Sequence, residues 1–474
     1  MTSAPIKVAV RLRPLVPHET GQLHCLAINE NEVAVLSSAG LEGEHAKEGP
    51  WRFDHALDSS VPSHPGCVTN AKLYEILGRD IVEHALEGFN SCLFCYGQTG
   101  TGKTTTLLGD KELGPGVVTM MLKDLFEHKS QEESKGNSLN VAVQMLEVYN
   151  EKVFDLLRTE HGHDSKKNVQ LHVLNTGVNV SGAELINVNS VDDCLRWIDH
   201  GNKRKHTAAT AMNAHSSRGH TVIKFVIQHD SEGDGVHMNS EVYISDLAGH
   251  ENEKTTQVKG EHLAELSEIN KSLYWLQRAV HALASAKKGK HAHGEHDRHR
   301  MSLFRNSKLT LLLSNALLGN SLVHVIVTLS PAAAHFDTSL SSLKFANELK
   351  HVTMEAHSSM QVDPSAQIRK LEAEVKQLKE QLALATSNDV ATGPSPARTS
   401  ILAPAPTAVA ASSAERIAVA ENRYLRRELE NLRADLRESQ ACVRALHADL
   451  EGWLRSKSSQ IDRRVAEGSS LITH

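Results

Sequence analysis

The 474-residue sequence predicts an α/β domain with a central mixed sheet flanked by helices, followed by helices patterned as coiled coils. Three observations carry that prediction. Apolar β-type runs alternate with amphipathic stretches across residues 5–352, a glycine-rich loop follows one of those runs, and two later stretches repeat apolar residues at three- and four-residue steps. The runs read "IKVAV", "SCLFCY", "VAVQMLEVY", "TVIKFVIQ", "EVYISDL" and "LVHVIVTLS". All are short and rich in β-branched or aromatic residues, as buried strands are. No Pro/Gly/Ser-rich break divides residues 5–352, so one domain is expected there.

Composition narrows the class. The chain is 40% hydrophobic and 23% charged, ordinary for a soluble protein with a sizeable core. A net charge of −6 argues against a nucleic-acid binder and leaves local charge to choose the partner. Most of the 29 His residues sit beside Gly, Glu, Lys and Asp and are expected to be solvated. Six cysteines are scattered. Cys92 and Cys95 form a CxxC, but a zinc site needs a second pair of ligands, so they read as small hydrophobes of a buried strand. Unpatterned cysteines suit a reducing cytosol. "MTSAPIKVAVRLRPL" lacks a signal-peptide layout, and no run approaches the ~18 apolar residues of a membrane span. A soluble intracellular protein with no membrane span is expected.

Beyond the domain, residues 353–365 are polar and read as an extended connector. In 366–385, Ile368, Leu371, Val375, Leu378, Leu382 and Ala385 make a short heptad seam. Residues 386–413 are Pro/Ala/Ser-rich and read as a disordered linker. In 414–457, Leu425, Leu429, Leu432, Leu436, Val443, Leu446, Leu450 and Trp453 form a second seam, with Asn422 and Ser439 as polar members. That tail helix is the better candidate for a homodimer contact or for an unknown cargo.

The chemistry begins at "GQTGTGKT", comprising Gly97, Gln98, Thr99, Gly100, Thr101, Gly102, Lys103 and Thr104, which matches GxxxxGK[ST] between a strand and a helix. The glycines let main-chain N–H groups turn toward phosphate oxygens. Lys103 would neutralise the β- and γ-phosphates, and Thr104 would offer its hydroxyl to Mg²⁺. Downstream, "DLAG" places Asp246 at a strand end, where it can hold the metal through water, and Gly249, whose amide can sense a γ-phosphate. "NAHSSRGH" adds Ser216 and Ser217, which can reach the metal and γ-phosphate, and Arg218, which can pair with Glu251 when both loops close. ATP and Mg²⁺ are the expected ligands, and a γ-phosphate switch is the expected device.

These strings in this order, together with "RLRP", "LEVYNEKVFDLL", "EINKSL", "RNSKLTLLLSNALLGNS" and "SSLKFA", resemble the kinesin motor domain, a P-loop NTPase-type fold, across roughly residues 5–352. The resemblance implies a microtubule-stimulated ATPase whose N-terminal motor moves toward plus ends. Arg11, Arg13 and Pro14 would border the adenine. Asn213, Ser216, Ser217 and Arg218 would form switch I, and Asp246, Gly249 and Glu251 switch II. Glu251 with Arg218 would order and deprotonate the attacking water, with Ser217 and Lys103 completing the catalytic set. Lys271, Lys287, Lys288, Lys290, Arg305 and Lys308 would face microtubules, and residues 353–365 would be the neck linker. Charge supports that face independently, because residues 284–308 hold seven Lys/Arg against two acidic residues.

The chain also departs from the family pattern. Thr105 replaces an adenine-stacking aromatic, Gly219 and His250 replace serines, Asn252 replaces Arg, and Leu311 replaces a basic residue. The asparagine that latches a docked linker is absent, and few residues precede the first strand to zip against it. Hydrolysis is therefore expected to survive better than force production. The alternative reading is a non-motile microtubule tether that retains ATP hydrolysis. A depolymerase is disfavoured because "SSAGLEGEHAKEGP" lacks a Lys-Val-Asp tip, and a P-loop kinase or G-protein because neither explains "NAHSSRGH" followed by "SSLKFA". A cytoplasmic place on the microtubule cytoskeleton is implied, and the neck region resembles kinesins of cilia and flagella.

Overall fold

The computed structural model describes residues 2–36, 49–111, 113–159, 169–174, 177–211, 219–231, 235–250, 261–285, 301–318 and 320–363, then 366, 369, 372 and 376–381, with the side chains of 206–211 and 261–268 left out. The seam residues Ile368, Leu371, Val375, Leu382 and Ala385, and everything from 382 onward, lie outside the described residues. The chain divides into two compact units, Met1–Ser231 with Val236–Gln361, and Glu232–Gly235 with Val362–His474. In the second unit the Asp363 amide donates to the Gly235 carbonyl at 2.7 Å, and Leu378 is exposed.

The first unit is built on a twisted sheet. Its strands are β2 (Lys7–Leu12), β3 (His55–Asp58), β4 (Asn90–Tyr96), β5 (Ser138–Tyr149), β6 (Lys152–Asp155), β7 (His220–Ser231), β8 (Val236–Asp246) and β9 (Ser321–Leu329), and β1 (Thr2–Pro5) lies outside the sheet. The order across the sheet is β6-β5-β7-β8-β4-β9-β2-β3. The half from β6 to β8 pairs antiparallel, and the half from β8 to β3 pairs parallel. The sheet is therefore mixed, as the sequence predicted. β5 and β6 are joined by Asn150 and Glu151, both at positive φ, the geometry of a tight hairpin that follows strand twist.

Period-two alternation sends side chains to two cores. Val8, Val10, Cys92, Phe94 and Tyr96 enter one cluster, and Ala9, Leu93 and Cys95 enter the other. The first cluster takes residues of α5 (Glu261–Ser285), α6 (Lys308–Leu317) and α7 (Phe336–Leu349), such as Leu273, Leu313 and Leu343. The second takes α1 (Arg79–Leu86), α3 (Val117–Ser134) and α4 (Val191–Ala211) through Ile81, Leu122 and Cys194. Burying side chains of this size stabilises the fold by about 1.5–3 kcal/mol each. Cys92 and Cys95 thus belong to opposite faces, fully buried, with the Cys92 thiol pushed up to about 12 by burial. Neither metal binding nor a disulfide suits that placement.

Candidate nucleotide site

The glycine-rich loop leaves the C-terminal end of β4 at the middle of the sheet and enters the short helix α2 (Lys103–Leu107). Gly97, Gly100 and Gly102 all have positive φ. At Gly97 the requirement is doubled, because a Cβ there would lie 2.4 Å from the Thr328 carbonyl oxygen of β9. Gln98 is half-buried, while Thr99 and Gly100 are exposed. The Thr101 hydroxyl donates to the Gln98 carbonyl at 2.7 Å and shares a hydrogen bond with the Thr328 hydroxyl. The Lys103 ammonium, buried, donates to the carbonyls of Gly97 (2.8 Å) and Gln98 (2.9 Å). Its charge is stored inside the curl of the loop.

β8 runs parallel beside β4 and pairs Asp246 with Cys95, which brings the carboxylate to the mouth of the loop. The Thr104 hydroxyl donates to Asp246 Oδ2 at 2.6 Å. Asp246 Oδ1 is buried with no partner among the described residues. A hydroxyl beside an unsatisfied carboxylate oxygen is the oxygen donor set that Mg²⁺ takes together with substrate phosphates, so these residues fit the ion. The main chain then continues through buried Gly249 to His250, whose amide donates to the Gly97 carbonyl at 3.4 Å.

Arg13 donates from Nε to the Gly100 carbonyl at 2.8 Å and holds Glu19 through both terminal nitrogens. Pro14 follows it, half-buried, its carbonyl accepting from Arg13. The Arg11 guanidinium points into the protein, donating to Ser59, Asn70, Thr106 and the Val68 carbonyl. Its hydrogen bonds brace α2 from beneath.

A residue the sequence analysis did not single out connects this site to α5. His220 is fully buried, and burial lowers its pKa to about 3, so the ring is neutral. Nδ1 accepts the Ala248 amide at 3.0 Å, which leaves the proton on Nε2 to be donated to Ser272 Oγ at 2.7 Å. Ser272 in turn donates to the Ile269 carbonyl. The only hint in sequence was that His220 closes the string "NAHSSRGH".

The kinesin motor domain model matches residues 11–352. The chain belongs to the kinesin family. It is 35% identical over 396 residues to the human kinesin-like protein KIF13B, an alignment spanning 81% of this chain and 21% of KIF13B. It is 34% identical over 419 residues to kinesin-like protein K39 of Leishmania chagasi, spanning 80% of this chain and 43% of K39. The chain thus spans a minor part of these relatives. Among solved structures, a KIF14 dimer in its two-heads-bound state, with AMP-PNP and in complex with a microtubule, is similar at a TM-score of 0.66 and 31% identity. That match covers 76% of this chain and 97% of the KIF14 chain.

The other site residues expected from the sequence divide by position. Lys271 on α5, and Arg305 and Lys308 at the start of α6, are all exposed. Lys308 is placed by Glu151 of the β5–β6 hairpin, whose carboxylate accepts the Lys308 amide and the Ser307 hydroxyl. Asn213, Ser216, Ser217, Arg218, Glu251, Asn252, Lys287, Lys288 and Lys290 lie outside the described residues. Leu311 is buried in the core, which accounts for an apolar residue there. At Gly219 a Cβ would sit 2.4 Å from Glu147 Oε1, so the small residue makes room for that side chain.

The segment after α7 follows a defined path. Val352, Met354 and Ala356 are buried in alternation. β10 (Thr353–Ala356) pairs antiparallel with β1, aligning Thr2 with Ala356 and Pro5 with Thr353. Asn320 clasps the main chain of His357 through both its amide atoms. The Ser358 hydroxyl donates to the Glu87 carbonyl, the Ser359 amide to the Gly88 carbonyl, and the Asn239 amide to Ser359 Oγ. The four residues of β1 form the strand that pairs with β10, and two serines hold the segment beyond it to the main chain.

Proposed function

We propose that this chain is a microtubule-stimulated ATPase motor that moves toward microtubule plus ends. The observation that carries the reading is the hydrogen-bonded run from the phosphate loop to α5. Thr104 meets Asp246, Ala248 follows on the same strand end, and His220 joins Ala248 to Ser272, beside exposed Lys271. Movement at Asp246 when a γ-phosphate arrives or leaves has a direct route to the helix that carries the basic face.

In this reading Lys103 and the loop amides hold the triphosphate, with Thr104 and Asp246 taking Mg²⁺ directly or through water. The ion would neutralise charge on the phosphate oxygens. Arg13 and Pro14 border the base, with Arg11 bracing α2 beneath them. Ser216, Ser217 and Asn213 close over the γ-phosphate, and Glu251 with Arg218 orders the water. Lys271, Arg305, Lys308 and the basic residues Lys287, Lys288 and Lys290 meet the acidic tubulin surface. Residues 353–365 are the lever, and the seam that Thr353–Ala356 form with β1 favours stepping over the tether alternative. A microtubule-bound place in the cytoskeleton follows, and a homodimer through the coiled-coil seams is the accompanying assembly. The names of the relatives carry nothing ciliary.

ATP turnover measured with and without polymerised tubulin, beside gliding of polarity-marked microtubules, tests the proposal. Stimulation of about tenfold or more with plus-end-directed transport is the expected result. Identical turnover in the two conditions would sink it.

A further inference from the structure

One side chain outside the motifs closes a ring of contacts around the phosphate loop. His335 is the last residue of the turn Ala333–His335 and stands at the start of α7. Its Nδ1 lies 3.1 Å from Gln98 Nε2, and its Nε2 lies 3.3 Å from Glu19 Oε1. Glu19 is buried and clasped by Arg13 at 2.6 and 2.7 Å, and Arg13 returns to the loop at the Gly100 carbonyl. The ring therefore touches the loop twice, at Gln98 and at Gly100. Gln98 is also one of the two residues whose carbonyls anchor Lys103.

The protonation pattern follows from the partners. The Arg13 hydrogen bonds hold the Glu19 carboxyl down at about 2, so it is an ionised group that only accepts. His335 Nε2 must then carry a hydrogen. In the neutral ring Nδ1 is an acceptor, and it takes a hydrogen from the Gln98 amide nitrogen. That choice fixes the rest of the amide. Gln98 Oε1 is buried with no hydrogen-bond partner among the described residues. Only with a hydrogen on Nδ1 would the opposite orientation of the amide be the bonded one.

We propose that His335 is a positioning residue for the phosphate loop, holding the Gln98 amide in one of two orientations according to the charge of its own ring. When the ring takes up a proton, Nδ1–H faces the Gln98 NH₂ as donor against donor. Rotation of the amide by half a turn brings Oε1 to Nδ1–H and satisfies it. The same rotation puts an N–H donor where the unpartnered oxygen stood. A loop that gains a donor and a positive neighbour binds a polyphosphate more tightly. Nucleotide affinity should therefore be higher at pH 6 than at pH 8. The charged groups around the ring are Glu19 and Arg13 from the N-terminal segment, Lys103 behind Gln98, and Asp337 on its own helix. Side chains of these types keep their charge across that range. The nucleotide's own phosphates also respond to pH, so the signal is the difference between variants.

The inference rests on reading this loop as a nucleotide site. The full chain, its His335→Gln variant and its His335→Ala variant would be titrated with a fluorescent ADP and with ATP turnover at pH 6, 7 and 8. The wild type should bind about fivefold more tightly at pH 6 than His335→Gln once both are referred to pH 8, an effect on the scale of one ordinary hydrogen bond. His335→Gln should keep kcat within about twofold and lose the pH dependence of KM, as expected when one hydrogen bond is replaced by a neutral one. His335→Ala, with Gln98 untethered, should raise KM at every pH. Parallel pH profiles in wild type and His335→Gln overturn the inference while leaving the site intact. Absence of nucleotide binding in all three proteins overturns the site and the inference together.

Discussion

The phosphate loop and the linker seam lie in the same unit, and they are held by different kinds of contact. The loop depends on particular side chains and on missing ones. Gly97 cannot carry a Cβ beneath Thr328, Lys103 must reach two carbonyls, and Thr104 must meet Asp246. The seam depends mainly on the backbone. The β1–β10 ladder, the Ile6 amide on the Val352 carbonyl and the Ser359 amide on the Gly88 carbonyl would form with many sequences. Side-chain chemistry leaves a signature in sequence, whereas main-chain pairing leaves only an alternation of buried residues. The loop should accordingly fail abruptly when altered, and the seam by degrees.

The largest expected effect is at Lys103. Lys103→Ala removes the charge aimed at the phosphates and leaves the Gly97 and Gln98 carbonyls without their donor. Turnover should fall by about 10²–10³-fold, the usual cost of deleting a main electrostatic contact to a developing charge. A circular-dichroism melt close to wild type would assign the loss to chemistry. A loss of only a few-fold would erase the contrast between the two regions, because the loop would then tolerate change as the seam does.

Next in size is Glu19, which supports the loop from outside it. Hydrogen bonds from Arg13 come first among the causes that lower its carboxyl from 4.5 to about 2, against the opposing effect of burial. A folded-state value below the unfolded one stabilises the native protein at pH above about 4.5, and the contribution fades as pH falls through about 2. The size at neutral pH is on the order of 3 kcal/mol. Urea midpoints of wild type and Glu19→Gln should therefore stand well apart at pH 7 and draw steadily together as pH falls below about 4.5. A gap that stayed constant with pH would mean that packing, and not charge, holds this corner.

The same distinction explains what could be read from the sequence. The mixed sheet was legible because strands such as "SCLFCY" and "EVYISDL" show their burial in composition, and the site was legible wherever chemistry fixes a residue type, as at Gly97, Lys103, Thr104 and Asp246. The serine latch was not, because Ser358 and Ser359 act through main-chain partners at Glu87, Gly88 and Asn239 that are distant in sequence. Most of the histidines looked like solvated surface groups. His220 and His324 are buried, and burial carries no local signature in a chain so rich in that residue. Leu311 stands where the family pattern has a basic residue, and its burial follows from packing that only the fold defines.

The smallest expected effect probes the seam at its end. Ser358→Ala with Ser359→Ala removes the Ser358 hydrogen bonds to the Glu87 carbonyl and from the Met360 amide and the Ser359 bond from the Asn239 amide, while the Ser359 main-chain bond to Gly88 and the β1–β10 ladder remain. The serines are half-buried and Asn239 is exposed, so water can take over part of what is lost. A net cost of about 1 kcal/mol is expected, roughly a fivefold shift from docked toward released linker. Amide hydrogen exchange across residues 353–359 should quicken by that factor, and gliding should slow while turnover stays within about twofold. Unchanged exchange would show that the ladder alone holds the linker and that the serines are bystanders. Loss of turnover together with gliding would place the seam inside the catalytic machinery and remove the separation between the two regions.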